Sequence, residues 1–120
     1  DPNPYILPVL EEVEKTNKIG LLTNQYVDMF KEVQKRNLIP SLNWSVIVDS
    51  TKVLLQKPDP AIFEYATKKS RVNKNEILFV DNGKKHIDSA KNIGWKTFLY
   101  DPLTPKKSSK ELLAFYRSLR

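Results

Sequence analysis

Polar and charged side chains follow two short apolar runs of this sequence, and a lysine opens a proline-containing string between them. Thr23 and Asn24 come directly after the run IGLL, and Asp81 and Asn82 come after ILFV. Lys57 opens the string KPDP. Hydroxyl, amide and ammonium groups bind phosphate or carboxylate oxygens, whereas a carboxylate either holds a metal ion or orients the lysine. The sequence therefore predicts a site for an anionic ligand, provided that folding brings these residues together.

The apolar runs predict the strands that would position this site. They are short and rich in β-branched residues, and segments with helical periodicity lie between them. Strands that alternate with helices predict a parallel α/β sheet of Rossmann-like type, in which the strands' carboxyl ends meet at one ligand-binding edge. The predicted strands are 19–23, 45–49, 76–81 and 96–100, and the predicted helices cover 6–13, 25–36, a segment from Asp59, a segment closed by Gly94, and a segment from Ser108.

Two prolines predict the conformation around Lys57. A residue before proline is excluded from the helical region, so Pro58 holds Lys57 extended. Asp59 and Pro60 are typical of a helix N-cap and first turn. Lys57 is therefore expected to point over the strand edge, beside the positive end of a helix dipole.

Each of these residues also has an ordinary structural explanation. Thr23 and Asn24 are common in turns, and a lysine is usually solvated. The string that begins at Asp81 and continues to Gly83 forms a good turn by composition alone, and His86 is expected to be a cap or surface group. Three polar clusters at successive strand ends are harder to explain in this way, and together they favour a site.

Composition excludes several classes of protein. Of the 120 residues none is cysteine, which excludes disulfides, thiolate catalysis and cysteine-bound zinc. A single histidine excludes multi-histidine metal sites, and three glycines leave no dinucleotide fingerprint or P-loop. No apolar run is long enough to span a membrane. The chain begins with Asp1 and has no secretory signal, so we expect a processed or longer cytoplasmic protein.

Positive charge is concentrated at the carboxyl end. The net charge is +6, and residues 106–120 hold five basic residues against Glu111. Such a segment is either a solvated helix face or a surface for an anionic partner. Because no nucleic-acid motif accompanies the charge, we expect a solvated helix and no nucleic-acid partner.

Three strings resemble the haloacid dehalogenase (HAD) superfamily of hydrolases: KIGLLTN (18–24), KPDPAIF (57–63) and ILFVDNGKKHIDSAKNIGW (77–95). The resemblance extends from about residue 5 to Pro102. Thr23 falls on the family's second motif, Lys57 on the third, and Asp81 with Asn82 on the fourth. It implies a HAD-like three-layer core over residues 1–102, partial in this chain, followed by a basic helix over 103–120.

The resemblance implies a magnesium-dependent phosphatase that acts on a small phosphate ester through an aspartyl-phosphate. Thr23 would hydrogen-bond a phosphoryl oxygen with Asn24 nearby, and Lys57 would neutralise charge. Asp81 and Asn82 would contact Mg²⁺, and asparagine at position 82, where aspartate is common, is expected to weaken the metal. The fourth motif also departs from the serine–asparagine pattern of dehalogenases, which argues against dehalogenation.

The family's first motif, a D-x-D string, is missing from the 120 residues. In the family this motif lies on the central strand and precedes a cap domain. The sheet is therefore expected to have a gap between its first and third strands, with exposed edges that a complementary chain could fill. The absent nucleophile and Asn82 leave an alternative, a catalytically inactive HAD-like binding or regulatory module.

Overall fold

The computed structural model describes residues 4–23, 44–49, 55 and 57–119. The predicted helix over 25–36 lies outside these ranges. Within them, no helix is long and apolar enough to cross a membrane. In chain order the elements are α1 (Ile6–Glu14), β1 (Ile19–Thr23), β2 (Trp44–Asp49), α2 (Pro60–Ser70), a 3-10 turn (Lys74–Glu76), β3 (Leu78–Asp81), α3 (Lys84–Asn92), β4 (Lys96–Leu99) and α4 (Pro105–Ser118).

The four strands within the described ranges form two separate parallel pairs. β1 pairs with β2, and β3 pairs with β4. Among the described residues, no hydrogen-bonded ladder joins one pair to the other. The structure thus confirms the predicted α/β class and the incomplete parallel sheet, whose interruption separates the first strand from the third.

Helices cover both faces of the β3–β4 pair. Phe79 of β3 meets Phe63 of α2 and Trp95 edge to face, at centroid distances of 5.5 and 5.6 Å. In the parallel register Phe79 pairs with Thr97 of β4. Phe98 follows Thr97 and therefore points to the opposite face of the sheet. There its ring lies 5.9 Å from that of Phe115 in α4. The result is a three-layer arrangement of helix, sheet and helix.

One hydrophobic core connects the two strand pairs through α2. Burial of its apolar side chains is the main favourable contribution to folding. Leu22 of β1 packs against this core, so both strand pairs share it. The buried members are Val48, Ile62, Phe63, Ala66, Phe79, Ile87, Ala90 and Trp95.

The basic carboxyl-terminal helix packs against α1. Leu112 and Tyr116 of α4 are buried. The Tyr116 hydroxyl lies 3.2 Å from Thr16 Oγ1 and accepts a hydrogen bond from Asn17 Nδ2. Residues 105–118 thus form a helix with one docked face and one exposed basic face.

Two helix boundaries agree with the sequence prediction. Asp59 caps α2, its Oδ1 accepting the Ala61 N–H at 3.0 Å, and Pro60 is the first helical residue. Gly94 follows α3 with a φ of +106°, a left-handed conformation that favours glycine. These local signals therefore fix where the elements around Lys57 and Asp81 begin and end.

The start of the third strand was predicted too early. β3 begins at Leu78 rather than at residue 76, because Lys74–Glu76 forms a 3-10 turn. The Glu76 carboxylate accepts the Asn73 N–H at 3.0 Å and stabilises this turn. Side-chain capping thus prevails over the apolar pattern at the strand's first positions.

The start of the last helix was predicted too late. α4 begins at Pro105, a residue suited to a first helical position, and not at Ser108. Ser108 lies inside the helix, and its hydroxyl accepts the Asp101 N–H at 2.8 Å. The expected capping serine therefore anchors the preceding loop instead of the helix.

Candidate active site

A buried ion pair lies at the carboxyl end of β3. Lys57 Nζ is 2.9 Å from Asp81 Oδ2, and the two side chains are only 11% and 8% exposed. The ammonium also lies 5.8 Å from the centroid of the Phe79 ring. Water screens charges weakly in a buried site, so the Asp81 carboxylate holds this ammonium strongly in place and balances its charge.

The second oxygen of Asp81 is also engaged. Oδ1 accepts the Gly83 N–H at 2.7 Å and lies 3.3 Å from His86 Nδ1. Burial by itself raises the pKa of the Asp81 carboxyl, but the hydrogen bonds from Lys57 and Gly83 and the charges of Lys57 and His86 outweigh it. The pKa of Asp81 is therefore held below its ordinary value of 3.8.

Gly83 allows His86 to approach Asp81. A Cβ atom at this position would lie 3.0 Å from His86 Nδ1 and 3.3 Å from Asp81 Oδ1. Any larger residue would push against both groups. The N-cap of α3 is therefore a residue without a side chain, and the first turn of α3 presents the imidazole to the carboxylate.

The backbone that carries Lys57 is held from two directions. The Ser89 hydroxyl of α3 donates to the Pro58 carbonyl at 2.6 Å, and the Lys57–Pro58 peptide bond is cis. On the other side, Asp59 caps α2. The lysine is thus mounted on a segment fixed to two helices, as preorganised electrostatic stabilisation requires.

Asn82 faces a shallow depression next to this pair. Its side chain is exposed and makes no hydrogen bond within the described part of the chain. The depression, which we call the Asn82 depression, has a volume of about 300 Å³. It is lined by Ile6, Val80, Asp81, Asn82, Tyr100 and Pro102.

The remaining predicted site residues lie on the other strand pair or beyond the described ranges. Thr23 is the last residue of β1, in register with Asp49 of β2. Asn24 is outside the described residues. The structure thus brings Lys57, Asp81 and Asn82 together and places Thr23 at the end of its strand.

Sequence reasoning missed the contact of His86 with Asp81. His86 was expected to be a cap or surface group, whereas its ring is 28% exposed and lies against the carboxylate. It follows Asp81 by five residues across the turn at Gly83, and a turn followed by a helix start is the signal that could have indicated this contact. Ser89, one helical turn further on, carried no recognisable signal.

The described residues do not fit a magnesium site on their own. Mg²⁺ prefers carboxylate oxygens in an octahedral shell, and both oxygens of Asp81 already accept from protein donors. Asn82 offers one neutral oxygen. Within residues 4–23, 44–49, 55 and 57–119, no group of three or more histidine or acidic side chains is arranged to hold a metal.

Comparison with known sequences identifies the chain's relatives. A family model described as haloacid dehalogenase-like hydrolase matches residues 1–100. Over 42 residues the chain is 45% identical to the D-ribitol-5-phosphate phosphatase of Bacteroides thetaiotaomicron, which covers 35% of this chain and 20% of that protein.

Solved structures share the fold. An L-2-haloacid dehalogenase superposes with a TM-score of 0.81 at 24% identity, covering 95% of this chain and 56% of that one. A HAD family enzyme of Bacteroides thetaiotaomicron in complex with magnesium and inorganic phosphate has a TM-score of 0.72 at 23% identity, covering 81% and 52%. The chain thus spans about half the length of these structures, and the 42 residues that match the phosphatase cover a fifth of that protein.

Proposed function

Since the chain belongs to the haloacid dehalogenase-like hydrolases, we propose that it is the carboxyl-terminal part of the core of a phosphatase that hydrolyses a small phosphate ester. The local similarity to a sugar-alcohol phosphatase supports the phosphate ester as substrate. A cytoplasmic location remains a prediction from the sequence.

The observation that carries this proposal is the buried Lys57–Asp81 pair beside the Asn82 depression. A phosphoryl group that enters the depression lies next to Asp81, and the partner of Asp81, the Lys57 ammonium, supplies the positive charge that attracts the phosphoryl oxygens. Asp81 keeps the ammonium in place, and His86 and Gly83 keep Asp81 in place. Lys57 thereby stabilises negative charge on phosphoryl oxygens without reorganising during the reaction.

In the proposed reaction, an aspartate from outside these 120 residues attacks phosphorus, and the ester P–O bond breaks. The departing alcohol takes a proton from a general acid, and water then hydrolyses the aspartyl-phosphate to free phosphate and carboxylate. Thr23 and Asn24 donate hydrogen bonds to phosphoryl oxygens. Lys57 offsets the charge of the nucleophile and the phosphoryl group.

For Mg²⁺, we propose that Asn82 offers a ligand oxygen and that Asp81 remains the counter-ion of Lys57. The other ligands would come from outside the described residues. Because an amide carbonyl lacks formal charge, metal binding through Asn82 is weaker than through an aspartate.

For the interrupted sheet, we propose that a strand with the D-x-D string joins the two strand pairs, supplied in the same protein or by a complementary chain. The unpaired strand edges support this proposal, since exposed edges otherwise invite non-specific pairing.

The test is hydrolysis of a panel of phosphate monoesters by the intact protein, with and without added Mg²⁺. We expect turnover that falls at least about a hundredfold in Lys57→Met, the scale of losing one preorganised electrostatic group. Lys91→Met, an exposed lysine at the far end of α3, serves as the control and keeps full activity.

The proposal of phosphatase activity would be overturned by an intact protein that binds phosphate through Lys57 but hydrolyses no ester. It would favour the alternative, a catalytically inactive binding or regulatory module. Asn82, a neutral residue beside the engaged Asp81, is the observation that favours that alternative.

A further inference from the structure

A second depression lies at the start of α4. Its volume is about 530 Å³, and we call it the lysine depression. Three lysines contribute to its wall together with an aromatic ring, a threonine and a proline. The lining residues are Tyr5, Thr104, Pro105, Lys106, Lys107 and Lys110.

The lysine depression adjoins the Asn82 depression. β4 runs parallel to β3, so both strands end at the same edge of the sheet. There the Tyr100 N–H donates to the Asp81 carbonyl at 2.8 Å. The linings contain chain neighbours, since Tyr5 precedes Ile6, and Pro102 is two residues from Thr104. The two depressions therefore lie near each other, close to the segment that follows β4.

The lysine depression carries positive charge that the protein itself compensates poorly. Lys107 lies 3.9 Å from Glu111, with both side chains more than half exposed. Lys106 and Lys110 form no ion pair with any residue in the described ranges. No acidic residue occupies the first turn of α4. Lysines near a helix start oppose the helix dipole, so this arrangement costs stability unless an anion is bound.

The 101–104 loop, which leads into α4 and the lysine depression, is held by several hydrogen bonds. The Asp101 carboxylate accepts the Leu103 N–H at 2.9 Å and the Thr104 hydroxyl at 3.2 Å. The Ser108 hydroxyl accepts the Asp101 N–H at 2.8 Å. The backbone at the start of α4, which carries the lysines, is thus fixed relative to the end of β4, and Tyr100 at that end lines the Asn82 depression.

We propose that the lysine depression binds a second anionic group of the substrate. The substrate class is then a small phosphate monoester that carries a further phosphate or carboxylate group. This proposal rests on the proposed function, because the first phosphate occupies the Asn82 depression. It assigns a ligand to the exposed basic face of α4, which was expected to be merely solvated.

The test compares a sugar bisphosphate with the matching sugar monophosphate by calorimetry on the intact protein at physiological salt. We expect the bisphosphate to bind about tenfold tighter, the scale of a few exposed charge contacts. In the Lys106→Gln/Lys107→Gln/Lys110→Gln variant this advantage disappears, while affinity for the monophosphate stays within about twofold.

The control is a second triple variant, Lys68→Gln/Lys91→Gln/Lys96→Gln. These exposed lysines lie at the ends of α2 and α3 and at the start of β4, on the opposite edge of the sheet. This variant loses the same net charge as the α4 variant, so it controls for a general effect of the protein's positive charge on anion binding. It is expected to keep the advantage of the bisphosphate.

The outcomes separate the two proposals. Equal binding of the two probes, or an advantage that the α4 variant retains, overturns the second anion site even where monoesters are hydrolysed. If the protein binds the bisphosphate more tightly through the α4 lysines and yet hydrolyses no ester, that result supports the second anion site and contradicts the proposed phosphatase activity.

Discussion

Asp81 is the residue on which the candidate site depends, because it holds the Lys57 ammonium. Asp81→Asn would leave that ammonium buried without its counter-charge. Removal of one member of a buried pair is strongly destabilising, and we expect the free energy of unfolding to fall by about 3 kcal/mol. Urea denaturation of the metal-free protein measures this change.

Asp88→Asn is the matched control for that substitution. Asp88 pairs with Lys84 at 2.7 Å on the surface, with side chains 52% and 71% exposed. An exposed pair of this kind contributes about 0.5 kcal/mol or less. Equal effects of Asp81→Asn and Asp88→Asn would mean that Lys57 does not depend on Asp81.

Because the pKa of Asp81 is lowered in the folded protein, its contribution to the free energy of unfolding depends on pH. The unfolded chain holds the Asp81 proton more tightly than the folded one, so stability rises with pH in this range. The advantage of the wild type over Asp81→Asn is expected to be complete above pH 3.8 and to vanish below the lowered pKa. Urea unfolding of both proteins on either side of pH 3.8 tests this, and a difference that grows in acid contradicts it.

Asn82→Asp tests the proposed role of Asn82 as a Mg²⁺ ligand. A carboxylate at this exposed position adds a charged oxygen next to the depression, and we expect Mg²⁺ to bind about tenfold tighter. Calorimetric titration of the intact protein measures the change. Asn75→Asp, an exposed substitution before β3 and away from the site, is expected to leave Mg²⁺ affinity unaltered.

At the level of elements, α4 is predicted to be structural as well as basic. Leu112 is 3% exposed on its inner face, so Leu112→Ala removes buried apolar volume. We expect a loss of about 3 kcal/mol in thermal or urea unfolding. Leu103→Ala is the control, because Leu103 is 89% exposed, and the same truncation there should cost almost nothing.

The elements also show how far a sequence predicts a site. The strand containing Asp81 and the helix capped by Asp59 follow from local signals, so the types and approximate positions of these residues were predictable. The contact of His86 with Asp81 was missed, although the turn at Gly83 followed by the start of α3 could have indicated it. The early start of α4 was missed because Ser108 suits a helix N-cap. In the structure its hydroxyl instead accepts a hydrogen bond from the Asp101 N–H.

Over the whole molecule, the separation of the sheet into two pairs has a consequence for association. Within the described ranges each strand has one hydrogen-bonded neighbour, so each presents a row of unpaired backbone groups. Val80 of β3 adds a side chain that is 37% exposed. Exposed apolar strands pair with other chains, so we expect the isolated 120-residue chain to associate as its concentration rises.

Light scattering after size-exclusion chromatography measures this association. A lysine on a strand edge opposes pairing, so Val80→Lys should shift the 120-residue chain towards monomer. Leu103→Lys adds the same charge in a loop and is expected to leave association unchanged. An intact protein in which a further strand joins the two pairs should remain a monomer at these concentrations. Equal association of the intact protein and the isolated chain would show that the unpaired edges are not its cause.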